Sequence, residues 1–202
     1  MVDYPHRIQR VIALPGSLRR ASYNRTLLQA ASRIAPAGIH IEVYGALADV
    51  PLFDEELEAA TSGGPQPVRH LRAAVAGADG LLIATPEYNQ SLPGVLKNAI
   101  DWLSRPAPEE VLVAKPVAIT GVSSGRSGTR LAQSALRQTL TATEALVMPA
   151  PMLFVGEATR LFDAEGELHD PATRESLSVL LHAFGLWMER VLPARPNLPE
   201  VV

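Results

Sequence analysis

Short apolar runs alternate with stretches of helical periodicity along nearly the whole chain, and this alternation restricts the fold more than any other feature. Residues 8–14 read as a buried strand ended by Pro15-Gly16-Ser17. A helix is predicted from about Ser22, with Leu27, Leu28, Ala31, Ile34 and Ala35 at helical spacing until Pro36 and Gly38 stop it. Residues 39–44 alternate apolar and polar, as a half-buried strand does. Val68, Leu71 and Val75 mark another helix, and Asp79-Gly80 turns the chain into a strand over 81–84. Residues 92–103 predict a helix with Pro93 in its first turn, where a missing N–H costs little. A fourth strand is expected over 117–120, then a helix carrying Leu131, Ala135, Leu136 and Leu140. A fifth strand is expected within 146–155, bounded by the effect of Pro149 and Pro151. Asp170-Pro171 opens a last helix in which Leu177, Leu180, Leu181, Phe184 and Met188 share a face.

Strands alternating with helices require parallel pairing through right-handed crossovers. The expected fold is α/β: a flavodoxin-like three-layer sandwich with a five-stranded parallel sheet in the order 2-1-3-4-5 and helices on both faces. Residues 1–192 are expected to form this single domain, and 193–202, with three prolines, a surface tail. The chain shows no internal repeat. Its 202 residues, 47% of them hydrophobic, suffice for one real core.

The absence of cysteine excludes disulfides, Cys-ligated zinc, iron–sulfur clusters and thiol catalysis. With 18 basic against 21 acidic residues there is no broad basic footprint, so no nucleic-acid partner is expected. No apolar run reaches the length of a membrane span, and the first residues lack a secretory signal's apolar stretch. A cytoplasmic protein without a membrane partner is the expectation. The segment 34–68 has no Lys or Arg but carries Asp49, Asp54, Glu55, Glu56 and Glu58, and reads as a solvated acidic loop rather than a metal site.

In an open parallel sheet, ligands sit beyond the carboxyl ends of strands where strand order reverses, so three loops should share a site. The first, residues 16–24, runs from a strand into a helix N-terminus, a natural anion position. Ser17, Ser22 and Asn24 add short neutral donors, and Arg19 offers a fork of N–H groups to phosphate oxygens. With one Gly and no Lys, it matches neither the dinucleotide nor the triphosphate loop, and reads as a cradle for one phosphomonoester. The competing reading is that Ser22 only caps the helix and the arginines are solvated.

The second loop, residues 85–94, sets Pro86, Glu87, Tyr88 and Asn89 in a stiff backbone whose N–H groups suit the edge of a planar heterocycle. Tyr88 can lie on a ring face or simply be half-buried. The third loop, residues 121–128, aims N–H groups and the Ser123 and Ser124 hydroxyls at the same ring. It also contains Gly121-x-Ser123-x-Gly125, the hydrolase elbow pattern, although three further loop residues delay the helix that an elbow needs. Lys97 and Asp101, four apart, are expected to form an exposed pair, and the five histidines show no ligand spacing.

Two runs then carry a resemblance. Gly16-Ser17-Leu18-Arg19 with Ser22 and Asn24, and Pro86-Glu87-Tyr88-Asn89 through Ser91, Pro93-Gly94 and Leu96-Lys97-Asn98-Ala99-Ile100-Asp101-Trp102, resemble the NADPH-dependent FMN reductase family, with its quinone and chromate reductases. The order of elements matches it from about 8 to 192. The resemblance implies that Arg19, Ser22 and Asn24, with Ser17 nearby, bind the FMN phosphate. It implies that Pro86, Glu87, Tyr88 and Asn89 border the isoalloxazine and that Ser123 approaches it. Ser127-Gly128-Thr129-Arg130 departs from the Gly-Gly-before-Arg pattern frequent in the family.

The implied activity is ping-pong hydride transfer from NADPH or NADH to flavin N5 and on to a small-molecule acceptor: a quinone, azo compound, nitroaromatic, chromate or free flavin. No side chain need act as nucleophile or base. The alternatives are a flavodoxin-type electron carrier and a serine hydrolase using Ser123. The family also implies a homodimer or homotetramer. Trp187 and Val191, beside the core face of the last helix, supply apolar surface for one unless they pack within the chain.

Overall fold

In strand β1, Gln9–Pro15, alternation sends Val11 and Ala13 to one face of the sheet and Ile12 and Leu14 to the other. Both faces are covered, which is why the run is apolar throughout rather than every second residue. The computed structural model describes residues 8–61, 63–105, 110–163 and 167–192, so the expected 193–202 tail lies outside the described residues. β1 is followed by helix α1, Tyr23–Arg33, strand β2, Ile39–Val43, and two helices, α2, Glu55–Ala60, and α3, Gln66–Ala76. Then come β3, Gly80–Ala84, α4, Gly94–Leu103, β4, Pro116–Thr120, α5, Arg130–Ala142, β5, Leu146–Val147, and α6, Pro171–Val191. All pairings are parallel and the order is β2-β1-β3-β4-β5, as expected.

On one face, Leu27, Leu28 and Ala31 of α1 and the stripe Leu177, Leu180, Leu181, Phe184 and Met188 of α6 form one core cluster. The strands meet these helices with small residues, Ala13, Ala84 and Ala118, that allow close approach. On the other face, Val68, Leu71 and Val75 of α3, Leu96 and Ile100 of α4, and Leu136 and Leu140 of α5 cover Ile12, Leu14, Ile83 and Ile119. Trp102 belongs to this second cluster and donates from Nε1 to the Pro51 carbonyl at 2.9 Å. Trp187 donates to the Leu146 carbonyl at 3.1 Å, so both tryptophans pack within the chain. No helix among the described residues is long and apolar enough to cross a membrane.

Two stretches differ from the sequence reading. The fifth strand is cut to Leu146–Val147 and leaves the sheet; farther on, Thr120 of β4 donates from its hydroxyl to the Leu153 carbonyl at 3.3 Å and Val155 bridges Val122. Pro149 and Pro151 lack the N–H that a continuous ladder would use. The acidic stretch contains helix α2. Asp54 caps it by accepting the N–H groups of Glu56 and Leu57, and Glu55, Glu56 and Glu58 sit in a first turn where the helix dipole favours negative charge. An Asp followed by three acids was itself a helix-start signal.

Candidate functional site

Strand order reverses between β1 and β3, and there the loops after β1, β3 and β4 converge on a cleft of about 330 Å³. Ser17, Arg19, Ser22, Asn24, Pro86, Glu87, Tyr88, Ser123 and Ser124 line it, leaving only Asn89 of the expected residues off its wall. Tyr23, Val122 and Thr159 line it as well. Thr159 comes from a short 3-10 turn, Ala158–Arg160, held when the Ala158 N–H donates to the Ser123 carbonyl at 3.1 Å. That contact spans distant parts of the chain, and no local motif announces it.

In the first loop, the Ser22 hydroxyl caps α1 by accepting the Arg25 N–H at 3.3 Å, and the Ser17 hydroxyl accepts the Arg19 N–H at 3.4 Å. Both serines are 3% exposed. Each oxygen is used as an acceptor, and among the described residues neither hydroxyl proton has an acceptor, so both are available to a ligand in the cleft. The first-turn N–H groups of Tyr23 and Asn24 have no acceptor within the helix. Asn24 does more than line the wall: its Nδ2 donates to the Val122 carbonyl at 2.9 Å and its Oδ1 accepts the Val122 N–H at 3.0 Å. This pair ties α1 to the third loop and leaves one amide hydrogen free. Arg19 stands exposed at the mouth.

The second loop folds on itself, Tyr88 and Ser91 exchanging both backbone hydrogen bonds at 3.0 Å. Asn89 and Gln90 between them have φ of 50° and 62°, the left-handed pair of a type I′ hairpin turn, which Asn adopts readily. Tyr88, 47% exposed, is left on the rim. Glu87 turns its carboxylate onto helix α5, where Oε2 accepts the N–H groups of Leu131 and Ala132.

In the third loop, the Ser123 hydroxyl donates to the Gly128 carbonyl at 2.9 Å, and its N–H donates to the Val155 carbonyl at 3.0 Å. The hydroxyl proton is therefore held by backbone carbonyls rather than by an imidazole, and the hydrolase reading fails on geometry. Ser123 shapes its loop and retains lone pairs toward the cleft.

A phosphomonoester requires donors and positive charge, and one end of the cleft supplies serine protons, first-turn N–H groups and Arg19. The single carboxylate on the wall is neutralised by the α5 N-terminus instead of facing the anion site. These residues fit FMN. A flavodoxin-like sheet with a donor-rich cleft at its switch point and an aromatic-bearing loop beside it has the make-up of a flavin-binding redox protein.

The comparisons with known proteins agree. The profile of the family described as NADPH-dependent FMN reductase matches residues 9–160. The chain is 44% identical over 182 residues to an NAD(P)H-dependent FMN reductase of Pseudomonas aeruginosa, covering 90% of this chain and 96% of that one. It is 40% identical over 183 residues to a quinone reductase of Escherichia coli, again covering 90% and 96%. Among solved structures, FerB, a flavoenzyme NAD(P)H:(acceptor) oxidoreductase from Paracoccus denitrificans, aligns with a TM-score of 0.82 at 31% identity, covering 91% of this chain and 99% of FerB. The chain belongs to the NADPH-dependent FMN reductase family. It is an oxidoreductase that uses FMN with NAD(P)H, which sets aside the non-catalytic carrier.

Proposed function

We propose that the cleft holds FMN with its phosphate on Ser17, Arg19, Ser22 and the α1 N-terminus, and its ring between the second and third loops, and that the electrons go to a quinone. The observation that carries this reading is that the Ser17 and Ser22 hydroxyls, Arg19 and the first turn of α1 line the same cleft as Tyr88 and Ser123. When bound, FMN supplies the two-electron chemistry that links NAD(P)H to an acceptor. The chain's own work is positional. Asn24 holds the third loop to α1, the Tyr88–Ser91 turn presents its backbone at a fixed height, and Tyr88 limits access from solvent. The quinone assignment follows the Escherichia coli relative, and an open rim also suits azo compounds, nitroaromatics, chromate and free flavin.

The reading includes a cytoplasmic location, where reduced nicotinamide coenzymes are supplied, and a homodimer or homotetramer. Leu18 and Leu131, both 49% exposed, belong to the segments that follow β1 and β4 and supply apolar surface for a second copy. Sedimentation showing only monomer at micromolar concentration would remove the oligomer. Anaerobic mixing of FMN-loaded protein with NADPH or NADH should bleach the flavin, and benzoquinone should restore its colour. Bleaching by neither donor would overturn the functional reading.

A further inference from the structure

Helix α5 begins without a cap of its own. Thr129 holds the N-cap position, yet its hydroxyl takes no first-turn N–H and accepts instead from Gln133 Nε2 at 3.1 Å. No acidic residue occupies the first turn. The N–H groups of Leu131 and Ala132 donate to Glu87 Oε2 at 2.8 and 3.0 Å, a cap delivered from 44 and 45 residues away. A carboxylate on two N–H groups at a helix start combines charge-assisted hydrogen bonds with the favourable end of the helix dipole. Glu87 is also the residue before Tyr88 and the left-handed pair Asn89 and Gln90. One side chain therefore joins the loop expected at the ring to the helix that follows the third loop.

We propose that Glu87 is a positioning residue for the flavin, acting through α5 and the second loop. Its carboxylate anchors the loop, which sets where Tyr88 stands, and it balances the positive end of α5 beside the ring. The proposal rests on the FMN reading above. It separates reach from charge. Shortening the side chain releases the loop, whereas neutralising it leaves the helix end uncompensated, and that end then stabilises the negative charge which reduction adds.

Three chains decide it: wild type, Glu87→Asp and Glu87→Gln. Amide hydrogen exchange on the FMN-free proteins should show Leu131 and Ala132 exchanging at least tenfold faster in Glu87→Asp, with core amides unchanged as a check on folding. In the loaded proteins, Glu87→Gln should move the midpoint potential of FMN to a more positive value, a change that loosened packing alone does not dictate. Wild-type exchange in Glu87→Asp would overturn the anchor, and an unchanged potential in Glu87→Gln would overturn the charge balance. Failure of wild type to bind FMN would instead defeat the functional reading, because the exchange measurement needs no flavin.

Discussion

At Gly121 an added methyl group would lie 2.2 Å from the Thr85 carbonyl oxygen and 2.3 Å from Thr129 Oγ1. The first of these neighbours is backbone at the end of β3, so it cannot swing aside. Gly121→Ala should cost about 1 to 3 kcal/mol of stability, the scale of forced overpacking, read as a lower urea midpoint at unchanged slope. An unshifted midpoint would mean that β3 and the third loop are not in contact. Among the described residues that line the cleft, Arg19 carries the one guanidinium. Arg19→Ala should weaken FMN binding by about 1.5 to 3 kcal/mol, the worth of a charge-assisted hydrogen bond, measured by fluorescence titration. Equal affinity in variant and wild type would show that the phosphate lies elsewhere.

Helix α6 shows how an element's start and its packing are separate problems. Its start is local: Asp170 Oδ2 accepts the Thr173 hydroxyl at 2.6 Å and the Thr173 N–H at 2.8 Å. The hydroxyl bond first, then the N–H bond, hold the Asp170 carboxyl below its ordinary value. A folded value below the unfolded one means that the cap's contribution is complete above the usual carboxylate range and fades as pH falls through the lowered value. Asp170→Asn should flatten that acid limb in unfolding measurements across pH, and an identical limb would refute the cap. Both the cap and the apolar stripe of α6 were legible because capping and periodicity are written within a few residues. Strand β5 was only half legible, since prolines reveal that pairing fails but not where the chain returns to the sheet. Helix α2 is six residues long with a single large apolar side chain, Leu57, so periodicity does not reveal it, and its acids suit a solvated loop as well as a helix start. In the site, Ser17, Arg19, Ser22 and Tyr88 could be read from loop position, whereas Thr159 and the Glu87 contact to α5 depend on tertiary approach that local spacing does not encode.

For the whole molecule, the cleft joins segments from both halves of the chain, so ligand and fold are thermodynamically linked. FMN at about one hundred times its dissociation constant should add about 2.7 kcal/mol to unfolding. For a domain of this size that is roughly 5 to 11 °C in melting temperature, visible by calorimetry with and without FMN. A melting temperature indifferent to FMN would mean that FMN does not bind the folded chain in preference to the unfolded one. The two margins of the sheet carry a different consequence. At one, β2 alternates exposed His40 and Glu42 with inward residues; at the other, β5 offers only two paired residues before Pro149 and Pro151 intervene. Neither border leaves a long, flat, uncharged stretch of unpaired main chain to template another copy, so this architecture guards its native state against fibrous self-association even when crowded.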